Sequence, residues 1–139
     1  MAEVVATSAT LRIFGERLDP VEISRLLGCS PTSAEKRGEP MGPRGNISAR
    51  QGGWKLRIER QDGAHLSDQI SQLLAETSSD HEVWTDLVQR YRVDMFCGIW
   101  LDEPGQGVNL APMVLVELGR RGISLELDIY YADAHPVTK

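Results

Sequence analysis

The chain predicts an α+β fold, a ferredoxin-like sandwich in which a mainly antiparallel sheet carries helices packed on one face. Three observations lead there. Several segments alternate apolar and polar residues with the period of two that a half-buried strand requires, and others repeat apolar residues at helical spacing. The two kinds run in the order strand, helix, one or two strands, two helices, strand, helix, strand. Strands with one apolar and one polar row imply a sheet covered on one side only. With 139 residues, 41% hydrophobic and 25% charged, the chain has the size and composition of one domain over 1–139, its core within about 7–132.

Residues 4–14 open the chain as a strand, with Ala9, Leu11 and Ile13 on one face and Ser8, Thr10 and Arg12 on the other. Asp19-Pro20-Val21-Glu22 then supplies a capping side chain, a proline at the first helical position and a glutamate three residues after the cap. Ile23, Leu26 and Leu27 share a helical face, and Gly28 closes the helix in the left-handed conformation. Residues 29–46 carry three prolines and three glycines that interrupt any regular ladder, so they read as a long loop, with a short extended piece near 47–50. Gly52-Gly53 reads as a turn or bulge, and residues 54–59 alternate again with Trp54, Leu56 and Ile58 inward.

Leu66, Ile70, Leu73 and Leu74 predict one helix, and Trp84, Leu87, Val88 and Tyr91 a second, with Ser79 and Glu82 as a capping box between them. The apolar run 95–101 predicts a central strand that ends in the turn residues 102–107. Pro112 opens a helix with Met113, Val114, Val116 and Leu118, which stops near Gly119 or Gly122 with Arg120 and Arg121 at its basic end. Residues 124–131 alternate as the last strand, and 133–139 read as a frayed tail.

Composition narrows the function classes. Residues 1–7 lack a basic leader with an apolar run, and the longest apolar stretch, 110–116, is far short of the roughly 20 residues of a membrane helix; a cytosolic protein with no membrane partner is the expectation. Without secretion the glycosylation pattern Asn46-Ile47-Ser48 carries nothing. A net charge of −5 argues against a general nucleic-acid binder. The charge is also uneven. Residues 31–60 hold seven bases (Lys36, Arg37, Arg44, Arg50, Lys55, Arg57, Arg60) against three acids, a balance of +4, whereas the remaining 8 bases and 17 acids give −9.

Tests for chemistry come back empty. His81-Glu82-Val83-Trp84-Thr85 begins like a zinc-protease helix but lacks the second histidine that would let two imidazoles meet one metal. Gly38 to Gly45 is glycine-rich, yet Pro40 and Pro43 remove two of the amide donors a phosphate loop needs. Asp102 and Glu103 point apart on an extended chain and are better read as turn residues. Cys29 and Cys97 have neither ligand nor disulfide spacing and read as small buried hydrophobes. The expectation is therefore no cofactor, no metal and no catalytic residue.

Phe14-Gly15, Leu18-Asp19-Pro20, Ile23, Leu27-Gly28-Cys29-Ser30-Pro31-Thr32, Lys36-Arg37-Gly38-Glu39, Trp54, Glu117-Leu118-Gly119 and Asp128-Ile129-Tyr130 together resemble the bacterial family called domain of unknown function 4279, over roughly residues 7–132. The resemblance implies a small bacterial α+β domain without agreed catalytic residues, and it draws attention to Thr32, Lys36, Arg37, Glu39 and Trp54.

Two functions compete. The first is a non-catalytic protein-binding module, an immunity-type or regulatory partner whose acidic remainder steers a basic protein. The second is a small-ligand protein or enzyme whose anionic ligand meets Lys36, Arg37, Arg44 or Arg50 beside Trp54. Homo-oligomerisation through the open sheet or a strand edge is compatible with either.

Overall fold

A computed structural model describes residues 2–131. Its elements are β1 (Ala6–Gly15), α1 (Pro20–Leu27), β2 (Ser33–Glu35), β3 (Pro40–Met41), β4 (Ile47–Ser48), β5 (Gly52–Asp62), α2 (Leu66–Glu76), α3 (His81–Arg90), β6 (Arg92–Leu101), α4 (Pro112–Arg121) and β7 (Ser124–Tyr131). The tail expected at 133–139 lies outside the described residues.

Five strands form one sheet in the order β2-β5-β1-β6-β7, antiparallel except for the β6–β7 pair. The α+β class holds, as do the mainly antiparallel sheet and the one-sided helical layer. The strand order refines the ferredoxin-like expectation. Helix α1 returns the chain to β5 beside β1 and antiparallel to it, whereas a split βαβ unit would leave those strands parallel with a third between them. The single parallel connection, β6-α4-β7, sits at the sheet's edge.

The predicted alternation decides which residues form the core. Ala9, Leu11 and Ile13 of β1, Trp54 and Ile58 of β5, and Val93, Met95, Cys97 and Ile99 of β6 all point to the same face, where helical residues including Ile23, Ile70, Leu73, Trp84, Leu87 and Leu118 close over them. Burial of each large side chain contributes up to about 1.5–3 kcal/mol. Polar pins fix how the layers sit. The Thr7 hydroxyl donates to Gln69 Oε1 at 2.7 Å while Gln69 Nε2 donates to the Thr7 carbonyl at 3.0 Å, which joins α2 to β1. Trp54 Nε1 donates to Ser24 Oγ at 3.1 Å and joins β5 to α1.

The helix boundaries follow their caps. Asp19 accepts from the Val21 amide at 3.1 Å, and Gly28 (φ 77°) and Gly122 (φ 74°) end α1 and α4 in the left-handed conformation that costs a residue without Cβ least. The cap of α3 is Asp80 rather than Ser79: its carboxylate accepts from the Glu82 amide at 3.0 Å.

Two other expectations are corrected. The long loop contains structure: β2 pairs with β5, and β3 and β4 make a separate two-stranded ribbon, Pro40 opposite Ser48 and Met41 opposite Ile47. Its glycines and prolines serve the ribbon's tip instead of dissolving it. Gly52-Gly53 is not a turn but the start of β5, where a Cβ on Gly52 would stand 2.6 Å from the Leu18 carbonyl oxygen. Leu127 and Ile129 lie in the inward row of β7 yet are exposed, because β7 is the outermost strand.

Candidate functional site

The residues singled out from the sequence do not form one site. Thr32 is structural: its amide donates to the Lys55 carbonyl at 2.7 Å and its hydroxyl accepts from the Arg57 amide at 2.9 Å, which seats the edge of the sheet. Lys36 lies 3.8 Å from Asp19 and Arg37 3.9 Å from Glu16, exposed contacts that are worth little. Glu39 uses its backbone to close the ribbon, accepting from the Ala49 amide at 2.9 Å. Arg44 occupies the ribbon's tip and Arg50 follows its second strand, both exposed. Trp54 is fully buried, so it cannot stand beside these cations as a ligand-stacking surface. The periodicity that places Trp54 inward is the stronger signal.

What the fold does assemble is the uncovered side of the sheet. There Ser8, Thr10, Arg12 and Phe14 of β1 run beside Lys55, Arg57 and Glu59 of β5 on one flank, and beside Arg92, Asp94, Phe96, Gly98 and Trp100 of β6 on the other. Beyond β6, β7 contributes Ser124, Glu126, Asp128 and Tyr130. Arg12 is the hub. Its Nε and Nη2 donate to the two oxygens of Asp94 at 2.7 and 2.9 Å, Glu126 lies 3.5 Å away, and the guanidinium lies 4.3 Å from the centre of the Phe96 ring. A carboxylate as buried as Asp94 is tolerated only with such two-pronged pairing.

A second stack stands beside it. Trp100 and Tyr130 are cross-strand neighbours with ring centres 5.1 Å apart and planes at 17°, and Arg60 lies 4.8 Å from the Trp100 ring. Gly98 leaves room for this: a Cβ there would stand 2.6 Å from the Trp100 ring and 2.7 Å from Ser8 Oγ, which already accepts the Gly98 amide at 3.2 Å.

Between hub and stack lies a concavity of about 310 Å³ lined by Ser8, Thr10, Phe96 and Trp100 and by four cations, Arg12, Lys55, Arg57 and Arg60, against one carboxylate, Glu59. The face is thus polarised. Its β5 side is cationic, and its β7 side carries Glu126 and Asp128. Charge on this face is foreseeable from alternation in residues 8–12 and 54–59. The aromatic half is not, because the run 95–101 is apolar in both rows and gives no sign that Phe96 and Trp100 face outward.

A cleft of about 390 Å³ between α3 and α4 is lined by Ser79, His81, Trp84, Glu117, Arg120 and Arg121. Arg121 donates through Nη1 to the Glu117 carbonyl and carboxylate, which holds that carboxyl below the usual range by hydrogen bonding, while its buried Nε has no partner among the described residues. Burial pushes the Cys97 thiol up to about 12 and raises Cys29 as well, the opposite of what a nucleophile needs. Among the described residues no cluster of His, Cys, Asp and Glu could hold a metal ion, and no helix is long and apolar enough to cross a membrane.

The family model described as Domain of unknown function (DUF4279) matches residues 5–132, nearly the whole chain, and the chain belongs to that family. No curated protein and no solved structure matches it.

Proposed function

We propose that this family member is a non-catalytic protein-binding module of the immunity or regulatory kind, and that it docks its partner on the uncovered face of the sheet. The observation that carries the reading is the polarised face itself. Four long strands at roughly 4.8 Å spacing and eight or nine residues at roughly 3.3 Å each give about 510–570 Å² in projection, and side-chain relief brings this toward the ~800 Å² one partner contributes to a standard interface. Its centre is arginine and aromatic, the residue types that dominate binding energy. A surface cationic on one side and acidic on the other accepts a complementary partner in one orientation and rejects it reversed.

The test compares what tagged protein retains from its own host, by native mass spectrometry, in wild type, in Lys55→Glu/Arg57→Glu and in Arg37→Ala/Arg44→Ala. The expected result is a single stoichiometric protein lost only in the first variant. Loss only in the second returns the site to the loop and overturns the reading.

The four-to-one charge ratio of the concavity favours one alternative, a small anionic ligand bound there. Retention of a small molecule by wild type and not by Lys55→Glu/Arg57→Glu would support that instead.

A further inference from the structure

A different surface carries a more specific inference. β7 ends the sheet: it pairs with β6 alone, in parallel, and no strand lies against its outer edge among the described residues. At eight residues it extends about 26 Å, long for an edge. Its helix-side row is apolar and stands beyond the cover of α4, with Leu127 44%, Ile129 62% and Tyr131 54% exposed. Its other row carries Glu126 and Asp128. Unpaired amides and carbonyls beside an apolar row form a template for a further strand.

The acidic row decides what can use the template. If two copies pair antiparallel through β7 with their helices on the same side, a register centred on Leu127 sets Glu126 of one copy against Asp128 of the other. Registers centred on Glu126 or Asp128 set each carboxylate against itself. Like charges directly opposite destabilise a pair, so these registers are disfavoured, and a register centred on Ile129, which avoids the clash, pairs only 127–131 of the described strand. The same geometry welcomes a strand with lysine or arginine opposite residues 126 and 128 and apolar side chains opposite 127 and 129. We propose that β7 is a strand-addition site for an extended segment of another protein that alternates basic and apolar residues. Main-chain hydrogen bonds supply its affinity, and the two carboxylates select its charge.

Glu126 and Asp128 also form the acidic side of the uncovered face, but strand addition uses the outer main chain and apolar row of β7, which Lys55→Glu/Arg57→Glu leaves intact, so the two failures are distinguishable. The test uses the full chain and three blocked octapeptides: alternating valine and lysine, the same composition in two blocks, and alternating valine and glutamate. Amide hydrogen exchange over residues 125–131 is the readout. At ten times its dissociation constant, the alternating lysine peptide slows exchange of the outward β7 amides about tenfold, and the other two do not. Glu126→Lys/Asp128→Lys reverses the preference toward the glutamate peptide. Three results overturn the proposal: no slowing in wild type, equal slowing by the blocked-composition peptide, or outward amides already protected in the free chain. In the last case, the mass of the particle in solution separates cover by a second copy from cover by residues 132–139.

Discussion

Removing Arg12 tests whether the uncovered face is held together by its ion pair. The Asp94 side chain is only 3% exposed and Arg12 21%, and the two share hydrogen bonds of 2.7 and 2.9 Å. Taking one partner from a buried pair costs roughly 3–5 kcal/mol, because the other charge is left without compensation. The partial exposure of Arg12 lets water reach the site, so for Arg12→Met we expect somewhat less than that range, about 2–4 kcal/mol including about 0.5–1 kcal/mol from the lost contact with Phe96. Asp94→Leu should cost less, about 1–2 kcal/mol, since the guanidinium keeps Glu126 at 3.5 Å and its own access to solvent. The double variant Arg12→Met/Asp94→Leu replaces the pair with apolar side chains and should cost no more than about 1 kcal/mol, which makes the coupling energy roughly 2–6 kcal/mol. Urea unfolding at constant m-value measures all three, and each kcal/mol shifts Tm by about 3–4 °C for a chain of this size. Additive single variants, or an Arg12→Met cost below about 0.5 kcal/mol, would refute the claim that Asp94 depends on Arg12.

Two further outcomes follow from the same structure. Gly98→Ala should destabilise by roughly 1–3 kcal/mol through overpacking against Trp100 and Ser8, whereas Gly119→Ala, with open space around its Cβ on helix α4, should stabilise by up to about 1 kcal/mol; thermal melts of both check the contrast. With the Cys97 thiol buried and held protonated at pH 8, iodoacetamide should leave it intact in the folded chain and label it on unfolding; because burial raises the folded thiol from 9.0 to about 12, the stability tied to it is complete below about pH 9 and is lost as pH rises toward 12.

Most of the fold was legible because its signals are local. Alternation in residues 9–13 and 54–58 names the core row directly, and Asp19-Pro20 with Gly28 brackets α1 to the residue. The ribbon of β3 and β4 was not legible, since two-residue strands with Pro40 in one of them carry no periodicity. Gly52-Gly53 misled for a related reason. A glycine pair signals a turn when only local conformation is considered, but here it is required by the approach of the Leu18 carbonyl, a contact made by a distant part of the chain. Strand order escaped too, because alternation says which row of a strand is buried and nothing about which strand lies beside it.

The candidate site was legible in part: alternation alone puts Arg12, Lys55, Arg57, Glu59, Glu126 and Asp128 in the rows that face away from the helices, but does not say which of them are neighbours. Its members come from residues 8–14, 55–60, 92–100 and 124–130, and only pairing brings them together. Of the basic stretch 31–60, only the second half reaches the concavity. Lys36, Arg37, Arg44 and Arg50 scatter over the loop and ribbon, while Lys55, Arg57 and Arg60 reach the concavity from a regular strand. Strand placement matters physically, because a side chain on a sheet is aimed by the pleat and holds its position before a partner arrives, so less entropy is lost on binding. It also separates two roles that one face must serve. Arg12 is locked to Asp94 and Phe96 and belongs to the fold; Lys55 and Arg57 stand at the rim, Arg57 with a carboxylate no nearer than 3.9 Å, and can exchange water for a partner at little cost to stability. Substitutions at Lys55 and Arg57 should therefore change binding with Tm nearly fixed, and a face whose rim and hub lose stability together would be a structural zipper and not a docking surface.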